Sequence, residues 1–189
     1  MQTLLICGAT GFIGRNIAEH YARTGEYKVI GVHNKRRSFE CPGLAWIKAD
    51  LTNPDDVDRA LSGVDIVIQA AATTSGSKDI VARPFIHTTD NAVMNSLIFR
   101  AAYENKVSHV IFFSCSVMYQ SAAVPVKEED FDANCEMFPK YFGVAWTKVY
   151  IEKMCEFFSK ISGTSYTVIR HSNVYGPYDK FDLEKSHVF

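Results

Sequence analysis

The sequence is poor in the residues that hold secreted or metal-built folds together. Its five cysteines, Cys7, Cys41, Cys115, Cys135 and Cys155, are odd in number, and no two form a C-x-x-C unit. Neither a disulfide framework nor a zinc site is expected. The six histidines (His20, His33, His87, His109, His171 and His187) are scattered without ligand spacing, so no metal is expected. Excess charge is also missing: 20 basic and 21 acidic residues leave a formal net charge of -1. Nothing in that balance points to nucleic acid or a membrane surface as a partner. No apolar run reaches the length of a membrane span. Met1 leads straight into a strand-like run, with no basic n-region and no cleavage site, so a signal peptide is not read here and the cytoplasm is the expected location. There is no internal repeat, low-complexity segment or obvious linker.

What is present is a chain of 189 residues, 47% hydrophobic and 22% charged, enough for one domain with a sizeable core. Short apolar runs alternate with helical patterns. "TLLIC", "YKVIGVH", "LAWIKA", "DIVIQAA", "SHVIFFS" and "SYTVIR" read as six strands. Between them, "GFIGRNIAEHYART" carries apolar residues at helical spacing. "NPDDVDRAL" has Asn53 placed as N-cap, Pro54 at the first helical position and acids in the first turn. Long helices are expected from Pro84 to about Asn105 and from Phe138 to about Ser162, and a loop-like tail after "SYTVIR". Unbroken β-branched strands alternating with helices imply an α/β fold, a Rossmann-like doubly wound parallel sheet covered on both faces. The loops around Gly76 and from Tyr119 to Phe138 are long and follow strands, where such sheets bind ligands.

The first strand runs into "CGATGFIG", which places Gly8, Gly11 and Gly14 at a strand-to-helix corner. A diphosphate needs backbone N–H groups near it at a helix N-terminus, where the helix dipole favours negative charge. A Cβ at Gly8 or Gly11 would block that approach, and Gly14 would let the helix pack closely on the sheet. The turn, with Thr10, Phe12 and Ile13, is therefore expected to hold a dinucleotide. The end of the second strand distinguishes the two nicotinamide cofactors: an acid would bond the ribose 2′-OH, and an arginine would take a 2′-phosphate. The sequence there is "VHNKRRS", with Asn34, Lys35, Arg36 and Arg37 and no acid. One reading is a solvated basic loop. The preferred one is NADP, with Arg36 or Arg37 on the phosphate and NAD as the alternative.

With these motifs the chain resembles the extended short-chain dehydrogenase/reductases, the nucleotide-sugar epimerase/dehydratase family. The likeness runs through essentially all 189 residues. The family's G-x-x-G-x-x-G turn matches Gly8, Gly11 and Gly14. Its Asp-Leu after strand three, which holds the adenine, matches Asp50 and Leu51. Its small-residue strand end beside the cofactor ribose matches Ala70, Ala71 and Ala72, and its helical asparagine matches Asn91. "NVYGP", Asn173 to Pro177, matches the stretch after strand six. The likeness is greatest to members that use NADPH on a GDP-linked keto sugar, through "AAATTSG" and the tail "NVYGPYDKFDLEKSHV". It implies a nucleotide-sugar substrate and dimerisation through the two long helices, for which the stripe Val93, Leu97, Arg100, Ala101 is suitable, as it is for packing on the sheet.

The resemblance also implies a Ser/Thr, Tyr and Lys triad, with tyrosine four residues before lysine, and here the pattern breaks. Lys148 fits the lysine, with Glu152 one turn on, but the tyrosine position holds Val144. The nearest phenol is Tyr141, seven residues before Lys148 and so about two turns away on the same helical face. It can serve if the helix begins near Gly143 and leaves Tyr141 at its mouth. The Ser/Thr position holds Cys115, a poor hydrogen-bond donor, with Ser116 beside it as a substitute. A Cys/His pair used by part of the family for epimerisation is reduced to His187, because Val117 takes the cysteine position. Members also continue beyond this point into a substrate-binding region. The expected division is an NAD(P)-binding Rossmann domain over 1–170 and, over 171–189, the start of a substrate-binding region that is otherwise missing. Two readings follow: the cofactor domain of a sugar-nucleotide epimerase, dehydratase or reductase, or an inactive dinucleotide-binding module or partner subunit.

Overall fold

Six short strands join into one parallel sheet in the computed structural model, which describes residues 1–73 and 83–180. The strands are β1 (Thr3–Cys7), β2 (Lys28–His33), β3 (Leu44–Lys48), β4 (Ile66–Gln69), β5 (His109–Phe113) and β6 (Ser165–Ile169). Their order is β3-β2-β1-β4-β5-β6, and every neighbouring pair is parallel. The chain thus builds outward from β1 in one direction, returns, and builds outward from β4 in the other. That reversal opens a crevice beyond the carboxyl ends of β1 and β4, where doubly wound sheets take ligands.

Four α-helices among the described residues cover the sheet: α1 (Phe12–Thr24), α2 (Pro54–Leu61), α3 (Pro84–Glu104) and α4 (Phe142–Ile161). The start of α2 follows the sequence reading. The Asn53 side chain accepts the Asp56 amide at 3.1 Å, capping one donor that has no partner within the helix. On one face, α1 closes a cluster of Leu4, Ile6, Ala18, Val29 and Ile68. On the other, α2, α3 and α4 bury Leu5, Val67, Ile98, Phe99, Val110, Phe112 and Ile151. Phe99 meets Phe112 edge-on with ring centres 6.0 Å apart. Each such fully buried large apolar side chain contributes about 1.5–3 kcal/mol.

The two long helices pack on each other within the chain, with Tyr103 of α3 6.0 Å from Phe158 of α4 between ring centres. The expected stripe on α3 is divided between surfaces. Ala101 is buried and Leu97 half-buried against the core, whereas Val93 and Arg100 are exposed. Before α4, Pro139–Tyr141 form a separate 3-10 turn, so the continuous helix expected from Phe138 starts at Phe142 instead. The 119–138 loop also contains a 3-10 turn at Glu128–Asp130. No described helix is long and apolar enough to cross a membrane.

Beyond β6 the described tail lies back on α1. The Asn16 amide donates to the Pro177 carbonyl at 2.8 Å, and the Tyr178 hydroxyl donates to Glu19 at 3.0 Å. The Arg15 guanidinium lies between the rings of Phe39 and Tyr178, 4.1 and 3.8 Å from their centres. The Gly76 loop centre and His187 fall outside the described residues.

Candidate functional site

The crevice at the β1–β4 reversal is shaped by backbone. Gly8 follows β1 at φ +78°, and a Cβ there would stand 2.7 Å from the Ala71 backbone just beyond β4. Gly8 is therefore required first by how closely two strand ends approach, before any ligand is considered. A Cβ on Gly14 would run into the Gly8 carbonyl, which fits the packing role expected for it. Gly11 is the extended N-cap of α1, and its amide donates to the Gly8 carbonyl at 2.8 Å. No side chain caps α1, and its first turn contains no acid. The amides of Phe12, Ile13 and Gly14 therefore open onto the crevice with the positive end of the helix dipole behind them. This is a donor set that fits a diphosphate.

Side chains at the ends of β2 and β3 border the same crevice. Arg36 donates to the Thr10 carbonyl at 3.4 Å, which holds its guanidinium beside the glycine turn. Arg37 and Asn34 are exposed. Asp50 accepts the Thr52 hydroxyl at 2.7 Å and the Thr52 amide at 3.0 Å. These bonds, with a smaller contribution from Asn34, hold its carboxyl below the usual range. Leu51 is buried in the core cluster that also holds Val57.

The other border is a buried amide network that composition did not reveal. Asn91 accepts the Thr73 amide at 2.9 Å and donates to the Thr73 and His87 carbonyls at 3.1 and 2.7 Å. Gln69 accepts the Ala71 amide at 3.1 Å and donates to Asn95 at 3.0 Å. Together they fix Ala70, Ala71, Ala72 and Thr73 along the crevice. Asn91 thus acts through the strand end it holds. The pairing of Gln69 with Asn95 and of Asn91 with Thr73 was missed from sequence because a strand and a helix reveal such pairs only once they are packed.

Lys148 enters from α4, half a sheet away. Its ammonium donates to the Phe113 carbonyl at 2.7 Å and lies 4.7 Å from the Phe112 ring centre. Burial lowers its pKa, opposed by the nearby Cys115 and Glu152. Cys115 and Ser116 follow β5 directly, both half-buried. Ser114 is buried and donates to Glu152 at 2.5 Å. Glu152 in turn pairs with Arg170 at 2.7 Å, and Arg170 donates to the Tyr119 hydroxyl at 2.7 Å and the Glu128 carbonyl at 2.9 Å. This network locks the β5 end, α4, β6 and the 119–138 loop together.

Tyr141 sits at the mouth of α4 as its N-cap residue, the condition under which it was expected to serve. Its ring contacts are Phe138, 5.8 Å away between centres, and the Lys140 ammonium at 5.6 Å. Lys148 is held on the Phe113 carbonyl, two residues before Cys115 in the chain, and Tyr141 lies among these exposed neighbours. Among the described residues no group of histidine, cysteine or carboxylate side chains could hold a metal.

The model of the NAD dependent epimerase/dehydratase family matches residues 4–189. The chain belongs to that family. A GDP-L-fucose synthase from Azorhizobium caulinodans is 28% identical over 99% of this chain and 56% of its own length. A second GDP-L-fucose synthase, from Sinorhizobium fredii, is 31% identical over 75% of this chain and 46% of its own length. A UDP-N-acetylglucosamine 4-epimerase from Methanobrevibacter ruminantium, solved with UDP-N-acetylmuramic acid, superposes with a TM-score of 0.80 at 25% identity. It is covered over 98% of this chain and 59% of its own. The chain spans about half the length of the curated relatives it matches.

Proposed function

We propose that the chain is the cofactor-binding half of an NADP-dependent nucleotide-sugar reductase or epimerase acting on a GDP-linked keto sugar. The observation that carries this reading is the uncapped, acid-free N-terminus of α1 at the sheet's reversal point. The amides of Phe12, Ile13 and Gly14 hold the diphosphate, with Thr10 and Gly11 forming the turn beneath it. Asp50 and the Leu51 backbone take the adenine side, and Ala70, Ala71 and Ala72 line the ribose, positioned by Asn91. Arg36, seated on the Thr10 carbonyl, and the exposed Arg37 and Asn34 favour a 2′-phosphate, since no acid competes at the end of β2. Lys148 anchors the nicotinamide ribose. A bound nicotinamide supplies or accepts hydride at the sugar carbon. The proton moves through a group at the β5 end or the mouth of α4, drawn from Cys115, Ser116 and Tyr141.

The likeness to GDP-L-fucose synthases supports the GDP-sugar class. Exposed apolar residues on the two long helices, Val93 and Tyr103 on α3 and Tyr150, Phe157 and Ile161 on α4, support a homodimer through that face. A second reading, an inactive dinucleotide-binding module, is favoured by Val144 at the phenol position. Fluorescence titration with NADPH, NADP, NADH and NAD tests the first reading. NADPH is expected to bind about tenfold more tightly than NADH, the worth of one charge-assisted contact. Equal binding of both reduced forms removes the NADP preference, and no saturable binding of any form overturns the reading. Binding without NADPH oxidation on GDP-linked keto sugars selects the inactive module.

A further inference from the structure

The loop between β2 and β3 carries Arg36 and is held at two points. Arg36 itself is seated on the Thr10 carbonyl at 3.4 Å. Three residues on, the Phe39 carbonyl accepts the Trp46 indole N–H at 3.0 Å, and the two rings meet edge-on with centres 4.9 Å apart. Phe39 is also one side of the sandwich around Arg15, whose guanidinium lies 4.1 Å from its ring centre and 3.8 Å from that of Tyr178. Glu19 fixes the sandwich: one carboxylate oxygen accepts Arg15 at 2.8 Å and the other accepts the Tyr178 hydroxyl at 3.0 Å. Asn16 donates to the Phe12 carbonyl at 3.0 Å and the Pro177 carbonyl at 2.8 Å, tying the same stretch of tail to the first turn of α1. Tyr178 takes φ +69°, a left-handed conformation that bulky side chains seldom adopt. Such a conformation persists where the surroundings over-determine it, and here the ring and hydroxyl contacts do so.

We propose that Tyr178 is a positioning residue for cofactor choice: through Arg15 and Phe39 it holds the β2–β3 loop so that Arg36 meets the 2′-phosphate of NADP. The proposal rests on the NADP reading above. A guanidinium recognises phosphate through a planar fork, so its worth depends on how its main chain is held. A loop released at Phe39 has to be ordered again when the phosphate binds, which weakens binding. NADH lacks the 2′-phosphate and gains nothing from Arg36, so it should not sense the clamp. By linkage, a bound 2′-phosphate steadies the tail in return. A clamp that serves packing alone would affect both nucleotides alike.

Fluorescence titration of the whole chain with NADPH and NADH tests it. Tyr178→Ala is expected to weaken NADPH about fivefold, part of the roughly tenfold assigned to Arg36, and NADH less than about 1.5-fold. Arg15→Met, which removes the cation from between the rings, should do the same. Tyr178→Phe keeps its ring on Arg15 and should stay within about twofold of wild type. In an Arg36→Ala background Tyr178→Ala should change NADPH binding no further. Equal losses for the two nucleotides, wild-type NADPH affinity in either clamp variant, or a full loss in the Arg36→Ala background each overturns the proposal. The wild type supplies a readout that needs no folded variant. Chymotrypsin cleavage after the exposed Tyr175 and Tyr178 should slow about threefold more at saturating NADPH than at saturating NADH, and equal protection overturns the proposal. Wild type that binds both reduced forms equally, or neither, overturns the NADP reading and this inference with it. Wild type that prefers NADPH with a clamp indifferent to that choice overturns this inference alone.

Discussion

The glycine corner between β1 and α1 and the α4 arm that carries Lys148 both lie at the carboxyl ends of strands, but they are built differently. The corner works through backbone: a positive φ at Gly8, close strand ends and helix amides without a cap. The arm works through side chains: a half-buried lysine, a thiol and an ion pair that joins four elements. Backbone geometry tolerates change at most neighbouring residues, provided the glycines stay. Side-chain chemistry changes with a single substitution.

Breaking the arm is expected to cost the most stability. Glu152→Ala leaves Arg170, whose side chain is only 19% exposed, without its carboxylate. Such an uncompensated partly buried charge costs about 3–5 kcal/mol, read as a lower urea midpoint with an unchanged slope. At the corner, Gly14→Val drives a side chain into the Gly8 carbonyl. The expected cost is about 1–3 kcal/mol, smaller than at Glu152, together with loss of measurable NADPH binding in the same titration. A result in which Gly14→Val unfolds the protein and Glu152→Ala leaves it stable would reverse the contrast between the two regions.

Finer tests sharpen it. Arg36→Ala is expected to weaken NADPH binding about tenfold, about 1.4 kcal/mol, with NADH unchanged. Asp50 gives a pH signature. Its folded pKa lies below the ordinary 3.8 because Thr52 bonds the charged form. Its contribution to stability is present above that ordinary value and is lost as pH falls through the lower folded value. The stability gap between wild type and Asp50→Asn should close on acidification, followed by thermal unfolding across acid pH. Least of all, Arg100→Ala, which removes an exposed pair with Glu104 on α3, should cost less than about 0.5 kcal/mol.

The corner was legible in the sequence because its parts are local. Strand, glycines and the start of the helix all fall between Thr3 and Gly14, and the Asn53–Pro54 start of α2 carries its own cap. The arm was legible only in part. Lys148 and the substituted positions could be named, but Ser114, Glu152, Arg170 and Tyr119 meet across 18 to 51 residues of chain. No spacing encodes that meeting. The break before α4 was hidden for a different reason. Pro139 is as suitable for the first position of an α-helix as for the 3-10 turn it forms, and Tyr141, at φ -107° and ψ 6°, ends that turn.

The central claim is that the α1 amides at the glycine corner hold a nicotinamide dinucleotide, and calorimetric titration of the whole chain with NADPH tests it most directly. The account predicts one saturable site in the wild-type protein and none in a folded Gly8→Val variant, whose side chain would occupy the approach between the strand ends. Heat-silent wild-type protein with no displacement of any nicotinamide nucleotide, or a Gly8→Val variant that binds as the wild type does, would contradict it.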